Sequence, residues 1–166
     1  MTTRPIGRVL LCAALLALAG ERLGAGDNSA DKAIRDLVAT YTRAVDAADT
    51  RMAGTVWSTT PDVSFIHPLG HARGWEEVQR FFADVMGGMF SERKLTVRDV
   101  VVNAYGDAAW VEFYWTFDAK LRKEGTPIST AGRETQVYRR TADGWRLVHV
   151  HYSGMPVTPG AQGQGF

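Results

Sequence analysis

Cysteine is almost missing from this chain: Cys12 is the one thiol in 166 residues. A disulfide framework and a thiolate zinc centre are both excluded. An excess of charge of either sign is missing too, since 19 Lys and Arg face 18 Asp and Glu for a formal net charge of +1. No global field then draws in nucleic acid or an anionic membrane surface. No apolar run reaches the roughly 20 residues of a stable membrane span. There is no G-x-S-x-G around a nucleophilic serine and no glycine-rich loop opening a helix to hold phosphate. Gly87-Gly88 reads as the end of a helix, and Arg122-Lys123 and Arg139-Arg140 are isolated basic pairs, too few for nucleic acid. What remains is a chain of average globular composition, 45% hydrophobic and 10% aromatic, of a length that suits one domain.

The first nineteen residues read as a cleaved signal peptide. Arg4 and Arg8 precede the apolar run Val9–Leu18, and Ala17-Leu18-Ala19 supplies the small-x-small cleavage site. This predicts a periplasmic or secreted protein cut near Ala19, with no stable membrane insertion afterwards. Cleavage removes Cys12, and with it any thiol nucleophile. The remainder divides into a linker, 20–29, one domain, 30–157, and a flexible tail, 158–166, rich in Gly and Gln.

The domain reads as helices first and strands after. Ile34, Leu37, Val38, Tyr41 and Val45 fall at helical spacing, so Ala30–Ala48 is an amphipathic helix with Asn28 or Ser29 as its cap. Asp49-Thr50 breaks it, and a short helix follows over Arg51–Trp57. Val63–His67 is a strand ended by Pro68, and Gly70–Gly74 a loop. Trp75, Val78, Phe81, Phe82 and Val85 define a third helix, Trp75–Met86, closed by the two glycines. The period then changes to two. Leu95–Asn103, Ala108–Phe117, Ile128–Arg140 and Trp145–Ser153 are strands, with Tyr105-Gly106-Asp107 and Ala142-Asp143-Gly144 as turns. Helices on one face of a curved, mostly antiparallel sheet make an α+β fold.

On the long strand, Trp110, Glu112, Tyr114 and Thr116 alternate with Val111, Phe113, Trp115 and Phe117. The second set is wholly apolar. Helices cover only one face, so the expectation is that the Val111–Phe117 side packs on a second subunit, and the mixed side lines a helix-covered pocket. His149 and His151 then fall on the interface side.

The order of elements resembles that of the nuclear-transport-factor-2-like superfamily, which holds SnoaL-like cyclases, ketosteroid isomerase-like enzymes and many binding proteins. The resemblance sharpens at Gly125-Thr126-Pro127, Arg133-Glu134-Thr135-Gln136-Val137-Tyr138, Asp143-Gly144-Trp145 and the run from Val148 to Pro156, VHVHYSGMP. That run resembles the association (hub) domain of calcium/calmodulin-dependent protein kinase II and its bacterial SnoaL-like relatives. Ile66-His67-Pro68-Leu69-Gly70 with Arg73-Gly74 is similar to the loop before their third helix. The resemblance implies a cone-shaped α+β fold, a pocket between sheet and helices, and dimers through the sheet. The hub pocket's carboxylate-binding arginines correspond to Tyr114, Gln136 and Tyr152 here. None of these carries the guanidinium fork, so acid binding is not carried over.

Three functional readings follow. The first is an exported homodimer that holds a small, mainly apolar or aromatic molecule, with Tyr41, Trp57, Trp110, Gln136 and Tyr152 as ligand-binding residues; Trp57 reads as core first. The second is a cofactor-free acid–base enzyme of the isomerase, cyclase or dehydratase type. His67 or Glu112 would move a proton next to a carbonyl, and Tyr114 would donate to the oxyanion. The third is an oligomerisation module. Glu134 reads as a structural ion pair with Arg80 or Arg133. The H-x-H of His149 and His151 has metal-ligand spacing, but nothing fixes His67 or Glu134 as a third ligand, so structural hydrogen bonding is expected and no metal or cofactor is called for.

Overall fold

The computed structural model describes residues 21–155; the signal-peptide segment, Cys12 and the tail from residue 158 lie outside the described residues. Three helices pack on a curved sheet of six strands that does not close into a barrel. Helix α1 spans Glu21–Ala47 and α2 spans Thr50–Val56. Helix already covers the stretch expected as a tether, so Asn28 and Ser29 do not cap it. Ile34, Val38, Tyr41 and Val45 form its buried stripe, and Asp31–Arg35 and Lys32–Asp36 pair on the wet side. Ala48, at φ 50°, ends α1, and the Asp49 carboxylate caps α2 by accepting from the Met52 N–H at 2.9 Å.

Strand β1 is Ser64–His67, and the expected loop after it contains a second short strand, β2, Gly70–Arg73. Helix α3, Trp75–Arg80, runs into a π-helical segment, Phe81–Met89. Two arginines take up the carbonyls at its end. Arg93 Nη1 donates to Met86 O at 2.8 Å, and Arg122 Nη2 to Gly87 O at 2.8 Å. Four long strands follow: β3, Phe90–Tyr105, β4, Ala108–Leu121, β5, Pro127–Thr141, and β6, Gly144–Gly154. The sheet order is β2-β1-β6-β5-β4-β3, antiparallel except where β1 meets β6.

The expected assignment of the sheet faces is overturned. Val111, Phe113 and Trp115 are 0%, 2% and 8% exposed, whereas Trp110 is 39% exposed and Glu112 is open to solvent. The apolar side of β4 lies under the helices, because they have an apolar stripe of their own to bury. The Trp110–Thr116 side is the outer face. Two bulges complicate the alternation. In β3, Asp99 at φ 56° and Val100 both fall between the pairs Arg98–Tyr114 and Val101–Glu112, so the inward series Leu95, Val97 continues as Val100, Val102. In β6 the register shifts between Val137–His149 and Tyr138–Leu147. Trp145 and Leu147 point inward, and so do Val150 and Tyr152. His149 and His151 therefore stand on the outer face, opposite the Val111–Phe117 side with which the sequence grouped them.

Gly132 of β5 pairs with Trp115, and the indole lies across the space where a side chain would start. A Cβ there would come within 2.6 Å of the Trp115 ring and collide with the Ser153 carbonyl oxygen. Gly132→Ala should therefore destabilise the fold by about 1–3 kcal/mol, the usual cost of over-packing. Denaturant unfolding measures it, and an unchanged midpoint would show that the indole does not occupy that space.

Candidate functional site

The inner face of β5 carries Glu134, Gln136 and Tyr138, at 1%, 0% and 0% exposure. They stand opposite Phe113, Val111 and Ala109 of β4. Such side chains are buried only when they satisfy one another. Tyr138 OH donates to Gln136 Oε1 at 2.5 Å, and Gln136 Nε2 donates to Glu134 Oε1 at 2.7 Å. From the helix side Tyr41 enters the same region, its hydroxyl 2.8 Å from that of Tyr152 on β6. Tyr152 pairs in register with Glu134.

One carboxyl oxygen is left over. Glu134 Oε2 is buried without a hydrogen-bond partner, as are the indole nitrogens of Trp57 and Trp115. Burial pushes the Glu134 carboxyl up to about 8. Gln136, then Tyr41 and Tyr152, favour the ionised form and limit the rise. Burial, reinforced by the negative Glu134, likewise lifts the hydroxyls of Tyr41, Tyr138 and Tyr152 well above the usual tyrosine range. At neutral pH this cluster is uncharged, and rich in groups that can donate.

An aromatic row leads to it along the inner face. Ring centres are 5.0 Å apart from His67 to Phe65, 5.3 Å from Phe65 to Tyr152 and 5.4 Å from Tyr152 to Trp115. Phe81 of the π-helical segment packs on both His67 and Phe65, and Trp57 on Phe65. His67 is half-buried at the end of the row. Burial first, then the charge of His71, holds its imidazole below the usual histidine range. Its Nδ1 accepts the Leu69 N–H at 3.2 Å, which assigns the remaining proton to Nε2. In this arrangement the ring offers a donor rather than a base.

The sequence-derived site residues therefore fall into two groups. Tyr41, Trp57, Gln136, Tyr152 and His67 are on the helix-covered side. Trp110, Glu112 and Tyr114 are on the outer face, because β4 turns its mixed side away from the helices. There Trp110 stacks on Tyr105 with ring centres 5.2 Å apart, and Arg98 lies 4.4 Å over the Tyr114 ring. Glu112, Tyr114, Val101, Arg133 and Thr135 line a groove of about 470 Å³. The ion pair expected for Glu134 is absent: Arg133 points to the outer face, and the exposed Arg80 reaches Glu77 instead, at 3.6 Å. Glu134, Tyr138, Trp115, Phe65 and Phe81 are inner residues that the sequence reading did not place in the site. The signal was the E-x-Q-x-Y alternation, three polar groups on one face of a strand.

The packing of the helices on one face of a curved, open sheet defines the class. A family profile for the SnoaL-like domain matches residues 34–158. The chain is 37% identical to a nuclear-transport-factor-2-like superfamily protein of Salmonella enterica serovar Typhimurium, covering 82% of this chain and 99% of that one, with a TM-score of 0.80. This chain belongs to the SnoaL-like family of the nuclear-transport-factor-2-like superfamily. The same fold appears in a candidate dehydratase of that superfamily from Streptomyces avermitilis (23% identity, 78% and 99% coverage, TM-score 0.70). It appears again in a candidate calcium/calmodulin-dependent protein kinase II association domain from Xanthomonas campestris (19%, 75% and 87%, 0.64), in line with the resemblance of the C-terminal run. No functionally curated protein matches the chain.

The raised Glu134 value carries a sign. Between the ordinary carboxylate range and about pH 8, native Glu134 keeps a proton that the unfolded chain has released. Its contribution to stability is full in acid and declines as pH rises through that window, by up to about 1.4 kcal/mol per pH unit, then levels off. Urea unfolding of the protein and of Glu134→Gln at several pH values should show that the variant lacks this decline. Equal slopes would mean that native Glu134 is ionised.

Proposed function

We propose that this protein binds a small, uncharged, mainly apolar or aromatic molecule inside the cone, anchored by an oxygen that accepts a hydrogen bond from Glu134. The observation that carries the reading is the buried, partnerless Glu134 Oε2 beside the Tyr41–Tyr152 pair. A buried polar atom without a partner costs about 1–3 kcal/mol, and a ligand group that pairs with it recovers this. Trp115, Phe65 and Phe81 supply apolar wall, and Arg140, the cation that follows Tyr138 on this side of β5, is exposed and lies over the Trp145 ring. Export rests on the order of charge, apolar run and small residues before Gly20. A homodimer through the outer face is supported by Val101, Tyr105 and Trp110, which are 51%, 65% and 39% exposed there.

A second reading rests on the same carboxyl. A group that titrates near neutrality suits proton transfer, so Glu134 rather than Glu112 or His67 would act next to a bound carbonyl. The Streptomyces relative, described as a candidate dehydratase, is compatible with such chemistry.

Native mass spectrometry of the protein from its own host tests the first reading. The expected result is a dimer that releases an uncharged small compound on denaturation. Glu134→Leu keeps most of the volume but removes the donor, and should weaken that compound's binding about tenfold, read by tryptophan quenching. Unchanged affinity would remove Glu134 as the anchor, and a monomer would remove the outer-face interface. Turnover of the compound, abolished in the same variant, would favour the second reading.

A further inference from the structure

The H-x-H pair of β6 takes no part in the site described above. His149 and His151 stand on the outer face with ring centres 6.5 Å apart. His149 Nδ1 lies 2.6 Å from Ser64 Oγ on the neighbouring strand β1. In the tautomer in which Nδ1–H donates to that hydroxyl, Nε2 presents its lone pair, and the ring is held in place. This is the arrangement that second-sphere hydrogen bonds give to metal-ligating imidazoles. Burial, then the charges of His151 and His71, holds His149 below the usual histidine range. His151 is exposed.

We propose that His149 and His151 form a bidentate site for a divalent transition-metal ion such as zinc, with Ser64 as the positioning residue for His149. Zinc–nitrogen bonds of about 2.0–2.1 Å bring two imidazole centres to roughly 5–6 Å, which a small rotation of the exposed His151 achieves. Among the described residues no third His, Cys, Asp or Glu stands close enough to complete a ligand set. The remaining positions belong to water. His71 on β2 is the nearest further imidazole by register, since Ile66 pairs with both His71 and His151. Neutral imidazole selects zinc, copper or nickel over calcium or magnesium.

Titration calorimetry with zinc chloride at pH 7.5 tests the site, on the full chain carrying Cys12→Ala so that no thiol competes. The expected result is one ion per chain. His151→Ala, at an exposed position that leaves the fold intact, should weaken binding at least tenfold, and His149→Ala should do the same. Ser64→Ala should also weaken it, by about tenfold, and Ser64→Thr, which keeps the hydroxyl, should restore it. No heat of binding with zinc, or binding that survives both histidine variants, overturns the proposal.

Discussion

The packing of the α1 stripe on the inner face of the sheet sets the conditions for everything else in this protein. Ile34, Val38, Tyr41 and Val45 share one buried cluster with Val111, Phe113 and Trp115 of β4, and β5 lies beside β4 in the sheet. Glu134 lies on that strand. Its high proton affinity is a consequence of the packing: the same carboxyl on the outer face would behave as an ordinary acid. The site's electrostatics are therefore a by-product of hydrophobic burial, tuned by Gln136 and two tyrosine hydroxyls.

The polar chain from Tyr138 through Gln136 to Glu134 runs along one strand, at the two-residue period of a pleated sheet. It satisfies three buried side chains without help from the helices and leaves one oxygen over. Tyr41 and Tyr152 satisfy each other beside it. A core designed only for stability would fill such a place with apolar side chains. The irregular features of the fold sit around the same interior. The π-helical segment lays Phe81 over His67 and Phe65, while Arg93 and Arg122 take up its terminal carbonyls. Bulges of this helical kind occur often at functional sites.

The outer face is built by different rules. It mixes exposed aromatics, a cation over a tyrosine ring and charges of both signs, and it carries the two histidines. The bulges decide which residues reach it. Without the extra residue in β6, Tyr152 would not share a face with Trp145, and the Tyr41–Tyr152 hydrogen bond could not form. A shift of one position exchanges every side chain between the two environments, so the bulges act on chemistry as well as on shape.

Apart from β2 and the π-helical segment, the order of helices and strands was legible in the chain, as were the turns at Gly106 and Gly144 and the alternation on β4 and β5, because these follow from local periodicity and turn chemistry. Tyr41 was legible as a candidate from helical spacing, and Gln136 and Tyr152 from the resemblance of the C-terminal strands. The side of the sheet that the helices would cover was not, and Glu112 and Tyr114 were placed on the wrong one. Alternation says only that two sets of side chains point apart. Which set becomes dry is decided by long-range packing against α1, and parity beyond a bulge depends on strand register. The sequence by itself determined most of the elements and, in strands without a bulge, the residues that share a face. Only the tertiary structure decided that Glu134 rather than Glu112 is the buried carboxyl, because solvation is a property of the neighbours that the fold brings in and not of the residue's place in the chain.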